Sequence, residues 1–164
     1  MISFLIYRYN FINYYLETII KNIFITITFF ISLGITAETH IVKMLNQGPE
    51  GIMIFEQSVL DVDVGDTVIF EATDAAHNSE SIDGMIPNGA TSWSGPLSKN
   101  ISVTFDVPGV YGYQCTPHSM MAMVGLIRVG KKIDNLESLK AIAEIKKSSF
   151  VMNKDRLESY INSL

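Results

Sequence analysis

Residues 101–129 read ISVTFDVPGVYGYQCTPHSMMAMVGLIRV. Ile101, Val103 and Phe105 alternate with Ser102 and Thr104, the period-two pattern of a strand with one buried face. Pro108 and Gly109 make a turn, and residues 110–115 are rich in the branched and aromatic types that favour a pleated, half-buried surface. Residues 124–129 read as a further strand. Between these last two strands lies a short loop in which Cys115, His118 and Met123 follow the spacing C-x2-H-x4-M.

Similar signals continue upstream. Residues 41–45 open a strand and 46–51 read as a loop. Short apolar runs follow at 53–55 and 58–62, then a turn at 64–66 and a strand at 67–71. Residues 74–99 read as loop, with Gly84, Pro87, Gly89, Gly95 and Pro96 scattered through them. Seven or eight short strands at this spacing predict a mainly β chain, an antiparallel sandwich or barrel.

The tail changes period. Asp134 and Glu137 form a weak capping-box pattern ahead of Leu136, Leu139, Ile142, Ala143 and Ile145. Asn153 is placed to cap a second helix with Leu157, Tyr160, Ile161 and Leu164 on one face. Helices this short are marginal alone, so both are expected to dock on the sandwich.

At the other end, residues 23–37 (IFITITFFISLGITA) are uncharged and apolar and end in small side chains. At 15 residues they fall short of the roughly 20 that span a bilayer. They read as the apolar core of a secretory signal occupying residues 1–37, cleaved after Ala37. The preceding residues 1–22 are long for a signal and carry Glu17. An upstream-extended start or an uncleaved anchor is the alternative. Residues 38–130 then form the main domain and 131–164 a helical extension.

Residues 38–130 contain three basic and eleven acidic side chains, a net charge of −8, whereas 131–164 carry +2. An acidic body is a poor fit to nucleic acid, whose phosphates require Lys and Arg, and favours a basic partner surface. The chain has one cysteine, so an exported domain cannot use it for an internal disulfide. Cys115 is therefore an inert buried thiol, an intermolecular bridge, a nucleophile or a metal ligand.

Taken singly, a lone Cys or Met in such a fold is ordinary core filling, and a loop His is ordinary surface. Their conjunction points elsewhere. A thiolate, an imidazole and a thioether on one strand-end loop make a soft mixed donor set suited to copper, with Pro117 stiffening the turn between the first two. A fourth donor has to come from a neighbouring loop. His77, just after the strand at 67–71, suits this better than His40 at the start of the first strand. The expected arrangement is His77, Cys115 and His118 near one plane, with Met123 as a weak axial donor. No position is left open for substrate, which suits electron transfer rather than bond-making. A copper storage or delivery module is the main alternative. A Cys–His hydrolase lacks an evident oxyanion loop or orienting third residue.

At these residues the chain resembles the type I copper proteins, and within them the pseudoazurins. The likeness is carried by 40–46 (HIVKMLN), 51–56 (GIMIFE), 65–68 (GDTV), 77–82 (HNSESI), 85–87 (MIP) and CTPH at 115–118 through Met123, with 38 positions from His77 to Cys115. It covers nearly everything from Glu38 onward, most weakly in the tail and at 91–100. It implies a cupredoxin Greek-key β-sandwich or barrel of about eight strands with two short C-terminal helices. It also implies one copper ion cycling between Cu(I) and Cu(II) on His77, Cys115, His118 and Met123. Asn78 would tie the two ligand loops together, with Thr116 and Pro117 beside Cys115. Met53 matches a position that packs near the second histidine in the family, core filling being its plain alternative.

The function implied is a periplasmic, monomeric electron shuttle between respiratory partners, a copper or haem reductase or a c-type cytochrome. Neither nucleic acid nor membrane is a partner of the mature domain. Electrons would leave through His118, ringed by an apolar patch of Met120, Met121, Pro117, Ile86 and Pro87. In the family lysines surround that patch. This chain has Gln47, Ala75 and Gln114 at comparable places, which puts an acidic reductase partner in doubt and favours a basic cytochrome.

Overall fold

The computed structural model describes residues 13–22, 36–131 and 133–164. Residues 13–22 form a helix, α1, exposed along its length, in a unit of its own (Met1–Thr36). Residues 23–35 of the expected signal core lie outside the described residues. Among the described residues no helix is long and apolar enough to cross a membrane.

Ala37–Leu164 is one unit, with eight strands, a 3-10 turn and two helices among the described residues. The strands are β1 (Thr39–Gly48), β2 (Gly51–Phe55), β3 (Val59–Val62), β4 (Thr67–Glu71), β5 (Glu80–Ser81), β6 (Ile101–Thr104), β7 (Gly109–Gln114) and β8 (Val124–Val129). The helices are α2 (Leu136–Lys147) and α3 (Arg156–Asn162). One sheet has the order β2-β1-β4-β6 and the other β3-β8-β7-β5. This is the two-sheet sandwich, not a closed barrel. It is not wholly antiparallel either, because β1 runs parallel to β4 and β3 parallel to β8.

β7 is buried from Gly109 to Tyr113 because both of its faces are covered. Tyr111 and Tyr113 point into the cluster between the sheets, with Val42, Phe55, Phe70, Phe105 and Ile127. Tyr113 stands edge-on to Phe55 and Phe70, with ring centres 4.7 and 4.9 Å apart. Val110 belongs to a second cluster, where Leu139 and Ala143 of α2 and Leu157 and Ile161 of α3 cover Leu126 and Val124. Each fully buried aliphatic side chain contributes roughly 1.5–3 kcal/mol, enough to hold helices too short to persist alone.

The free edge of β7 is closed piecemeal. β5 pairs with Gln114 and Tyr113, and backbone bonds from Ile82 and Met85 take up Gly112. At Val110 the Asn135 side chain substitutes for a strand, accepting from the amide at 3.0 Å and donating to the carbonyl at 2.7 Å. This overturns the capping expectation for α2: Asn135, not Asp134, flanks the helix, and it makes no side-chain cap bond because its side chain is spent on Val110. Asn153 does not cap α3 either. Asp155 flanks that helix, while Asn153 adopts a left-handed turn (φ 51°) and sends its side chain to the Met121 carbonyl. The loop expected at 46–51 shrinks to Pro49 and Glu50, since β1 runs on to Gly48.

Asp66 fastens the beginning of β1 to the turn before β4. It accepts the amides of Glu38 (2.7 Å) and Asp63 (2.8 Å) and pairs with His40 Nε2 at 2.9 Å. The Glu38 amide, then His40 and the Asp63 amide, hold its carboxyl below the ordinary carboxylate range. A depressed folded-state pKa gives stability that is present above the unfolded value of about 3.9 and is lost as pH falls through the folded value. Asp66→Asn is thus expected to lower Tm at neutral pH, the gap to wild type closing below about pH 4. A gap independent of pH would show that the ionised carboxylate is not what matters.

Candidate metal centre

Cys115 follows the last residue of β7, and its amide donates to the Met123 carbonyl at 2.9 Å, pinching the intervening loop closed. Inside the pinch, Ser119–Met121 wind into a 3-10 turn, with Met121 and Met123 amides returning to the His118 carbonyl at 3.0 and 3.3 Å. Ala122 ends the turn in the left-handed region (φ 58°). The short chain from Cys115 to Met123 is thereby a fixed platform rather than a free loop.

His77 lies on the crossover from β4 to β5, fully buried. Its Nδ1 is 3.6 Å from Cys115 Sγ and 3.1 Å from His118 Nδ1, and His118 Nδ1 is 3.4 Å from the same sulfur. In a trigonal plane, nitrogen and sulfur donors about 2.0–2.3 Å from a first-row metal are about 3.5 Å apart, so this spacing fits a metal ion. Met123 is fully buried in the same cluster as Cys115. His40 is not part of the group, being engaged with Asp66.

The tautomer of His77 is set by Asn46. Nε2 lies 3.1 Å from Asn46 Oδ1; an amide oxygen only accepts, so Nε2 carries the proton and Nδ1 keeps its lone pair. Burial, then the neighbouring His118, lowers the His77 pKa, with Asp74 opposing. Asn46 is itself anchored, its amide donating to Asp74 Oδ2 at 2.7 Å. At Cys115, burial raises the thiol pKa while the backbone amides of Asn78 and His118 pull it down. Those amides are in place to stabilise a thiolate once a cation is present.

Asn78 spans the two loops: its Oδ1 accepts the Thr116 amide at 2.8 Å, and its Nδ2 lies 3.1 Å from Thr116 Oγ1 and 3.2 Å from the Gly95 carbonyl. Pro117 and Thr116 are exposed, His118 and Met121 half-exposed, and Met120 is 54% exposed. Met53 is half-buried against the inter-sheet cluster in the left-handed region (φ 49°). Ile86 and Pro87 do not border His118. Pro87 is buried against Gly109, at the far end of β7 from Cys115, and Ile86 packs into the inter-sheet cluster. The segment carrying them runs back along β7 from Gly112, which draws it away from the ligand loop.

Two other exposed apolar residues lie on segments hydrogen-bonded to the His77 and Met120 backbone. Leu97 (53% exposed) adjoins Ser98, whose amide donates to the His77 carbonyl at 2.7 Å, and Val151 (66% exposed) donates its amide to the Met120 carbonyl at 2.8 Å. Neither these two nor Asn46 carries a local sequence signal, because each meets the site from a distant part of the chain.

Residues 42–130 match the family of copper-binding proteins of the plastocyanin/azurin type. The chain is 44% identical over 111 residues to the pseudoazurin of Methylorubrum extorquens, covering 68% of this chain and 75% of that protein. It is 40% identical over 112 residues to the pseudoazurin of Paracoccus pantotrophus, covering 68% and 77%. A solved Sinorhizobium pseudoazurin superposes with a TM-score of 0.70 at 40% identity, covering 77% of this chain and 95% of that one. The chain belongs to the plastocyanin/azurin family of copper-binding proteins and, within it, to the pseudoazurins. It is accordingly a copper electron carrier, not an enzyme, with one copper ion as its cofactor.

Proposed function

We propose that the mature chain, starting near Glu38, is a periplasmic single-electron shuttle whose copper is held by His77, Cys115, His118 and Met123. The carrying observation is the triangle of two imidazole nitrogens and one sulfur at 3.1–3.6 Å. Copper supplies a Cu(I)/Cu(II) couple there, and the thiolate and thioether keep both states bound. The protein contributes rigidity. Asn46 fixes the His77 ring, Asn78 locks the two ligand loops together, and the Cys115–Met123 backbone bond sets the loop's span. Ligands that do not move between oxidation states keep the barrier to electron transfer low.

The two histidines differ in role by exposure. His77 is buried and tethered, whereas His118 reaches the surface beside Pro117, Met120 and Met121. A small apolar patch suits a brief redox encounter. Gln47 and Ala75 are exposed and Gln114 is half-buried, so these three positions bring no positive charge to the patch. With a body of net charge −8 across residues 38–130, this favours a basic partner, a c-type cytochrome over an acidic reductase.

Two measurements test the reading. The copper-loaded, oxidised protein is expected to show an intense thiolate-to-copper band near about 600 nm; its absence would favour a copper store. Stopped-flow electron transfer to a basic c-type cytochrome is expected to slow as salt rises. Rates that rise with salt would reverse the sign of the partner.

A further inference from the structure

The ends of α2 and α3 and the segment between them run beside the loop that joins His118 to Met123, and the contacts are in register. Lys146 Nζ donates to Ser119 Oγ at 3.2 Å, and the Val151 amide to the Met120 carbonyl at 2.8 Å. Asn153 Nδ2 donates to the Met121 carbonyl at 3.3 Å, and Arg156 Nη1 to the Ala122 carbonyl at 2.9 Å. Four consecutive loop residues are thus held, in chain order, by four residues of the C-terminal segment.

Arg156 does more than the other three. Its Nη1 also lies 2.9 Å from the Met53 carbonyl, and its Nη2 lies 3.3 Å from the Ile52 carbonyl. Met53 has a left-handed backbone, which persists only where surroundings hold it. The β1–β2 register, running from Leu45↔Ile54 to Gln47↔Ile52, sets Met53 across from Asn46, the residue that orients His77. One guanidinium therefore grips the backbone on two sides of the metal centre: immediately before Met123, and opposite the tether of His77. A planar fork with five donors can span such carbonyls, and an ammonium cannot.

We propose that Arg156 is a positioning residue of the copper centre, fixing through the Ala122 and Met53 carbonyls how closely Met123 approaches the metal, and with it the reduction potential. A weak axial donor has no stiff bond of its own to set its length, so the backbone that carries it must do so. The inference rests on the copper reading above.

The test uses the full chain with Arg156→Met, Arg156→Lys and Lys147→Ala. Lys147 bridges Asp155 (2.8 Å) and Glu158 (2.7 Å) and joins α2 to α3 without touching the ligand loop. In the copper-loaded protein, Arg156→Met is expected to change the intensity ratio of the thiolate-to-copper bands, the copper EPR signal and the reduction potential. Arg156→Lys restores these in part, and Lys147→Ala lowers Tm while leaving all three unchanged. In the metal-free protein, the Cys115 and Met123 amides are expected to exchange about tenfold faster in Arg156→Met and not in Lys147→Ala. Spectra and potential unchanged in Arg156→Met, or moved equally by Lys147→Ala, would overturn the proposal. Should Arg156→Met not fold, Asn153→Ala loosens the same loop and is expected to shift the spectrum in the same sense; an unchanged spectrum overturns the idea there too. A wild-type protein without the blue band would sink the copper reading instead, and the exchange contrast would still decide whether Arg156 holds the loop.

Discussion

A copper-loaded Cys115→Ser protein is expected to be folded and colourless, with no measurable electron exchange with a cytochrome. The sulfur lies 3.4 and 3.6 Å from the two imidazole Nδ1 atoms and is fully buried. The Asn78 and His118 amides that point at it would find an acceptor in a serine hydroxyl, so little stability is lost, on the order of 1 kcal/mol. The chemistry does not survive. A thiol with a free pKa of about 8.5 ionises readily beside a cation, and a hydroxyl does not. Without the thiolate, neither the intense visible transition nor the soft bond that suits Cu(I) and Cu(II) alike remains. Absorption and circular dichroism on the same sample check this. A folded variant that stays blue would show that the colour has another origin.

The second large effect is on stability. Gly125 of β8 pairs across from Tyr113 of β7. A methyl group at that position would collide with the Cζ and hydroxyl of Tyr113 and come within 2.7 Å of the Ser58 carbonyl. Tyr113 cannot swing away, because Phe55 and Phe70 stand against its ring, and Ser58 is backbone. Gly125→Ala is therefore expected to cost about 3 kcal/mol or to prevent folding. Urea unfolding of the metal-free protein measures it, and a loss below about 0.5 kcal/mol would show that the ring has room to move. At Gly112 a methyl group would meet the Cε and Sδ of buried Met85 and also its Cβ at 2.9 Å; a Cβ moves only with its backbone, so a methyl group is resisted there too.

The parts of the fold that were legible in the sequence are those whose signal is local. Alternation at residues 101–105 and the run at 124–129 mark β6 and β8 within a residue of their ends, and the C-x2-H-x4-M loop lies between β7 and β8. His77 could be chosen over His40 because a loop follows β4, whereas His40 lies within β1 and pairs with Asp66. Periodicity does not say which strands become neighbours, so the two parallel pairings were hidden.

Nor could residues 74–99 show that they hold a strand. β5 has only two residues, and its surroundings are fixed by side chains: Ser81 Oγ receives the Trp93 amide at 3.0 Å, and Trp93 Nε1 reaches Ser79 Oγ at 3.0 Å. Such bonds leave no pattern in the chain. The same applies at the metal centre. The proposed donors stand out by type and spacing, while Asn46 and Arg156 act from 31 and 34 positions away from the residues they hold. Ile86 and Pro87 were misplaced for a related reason: nothing local reveals that their segment doubles back along β7.

The proposed donors also belong to different halves of the sandwich. His77 is tethered through Asn46 to β1 of one sheet, while Cys115 and Met123 flank the loop between β7 and β8 of the other. An ion gripped by both is a rivet through the open end of the sandwich. Its binding energy counts toward keeping the sheets closed, so each captured ion both completes an electron carrier and seals the shell around it.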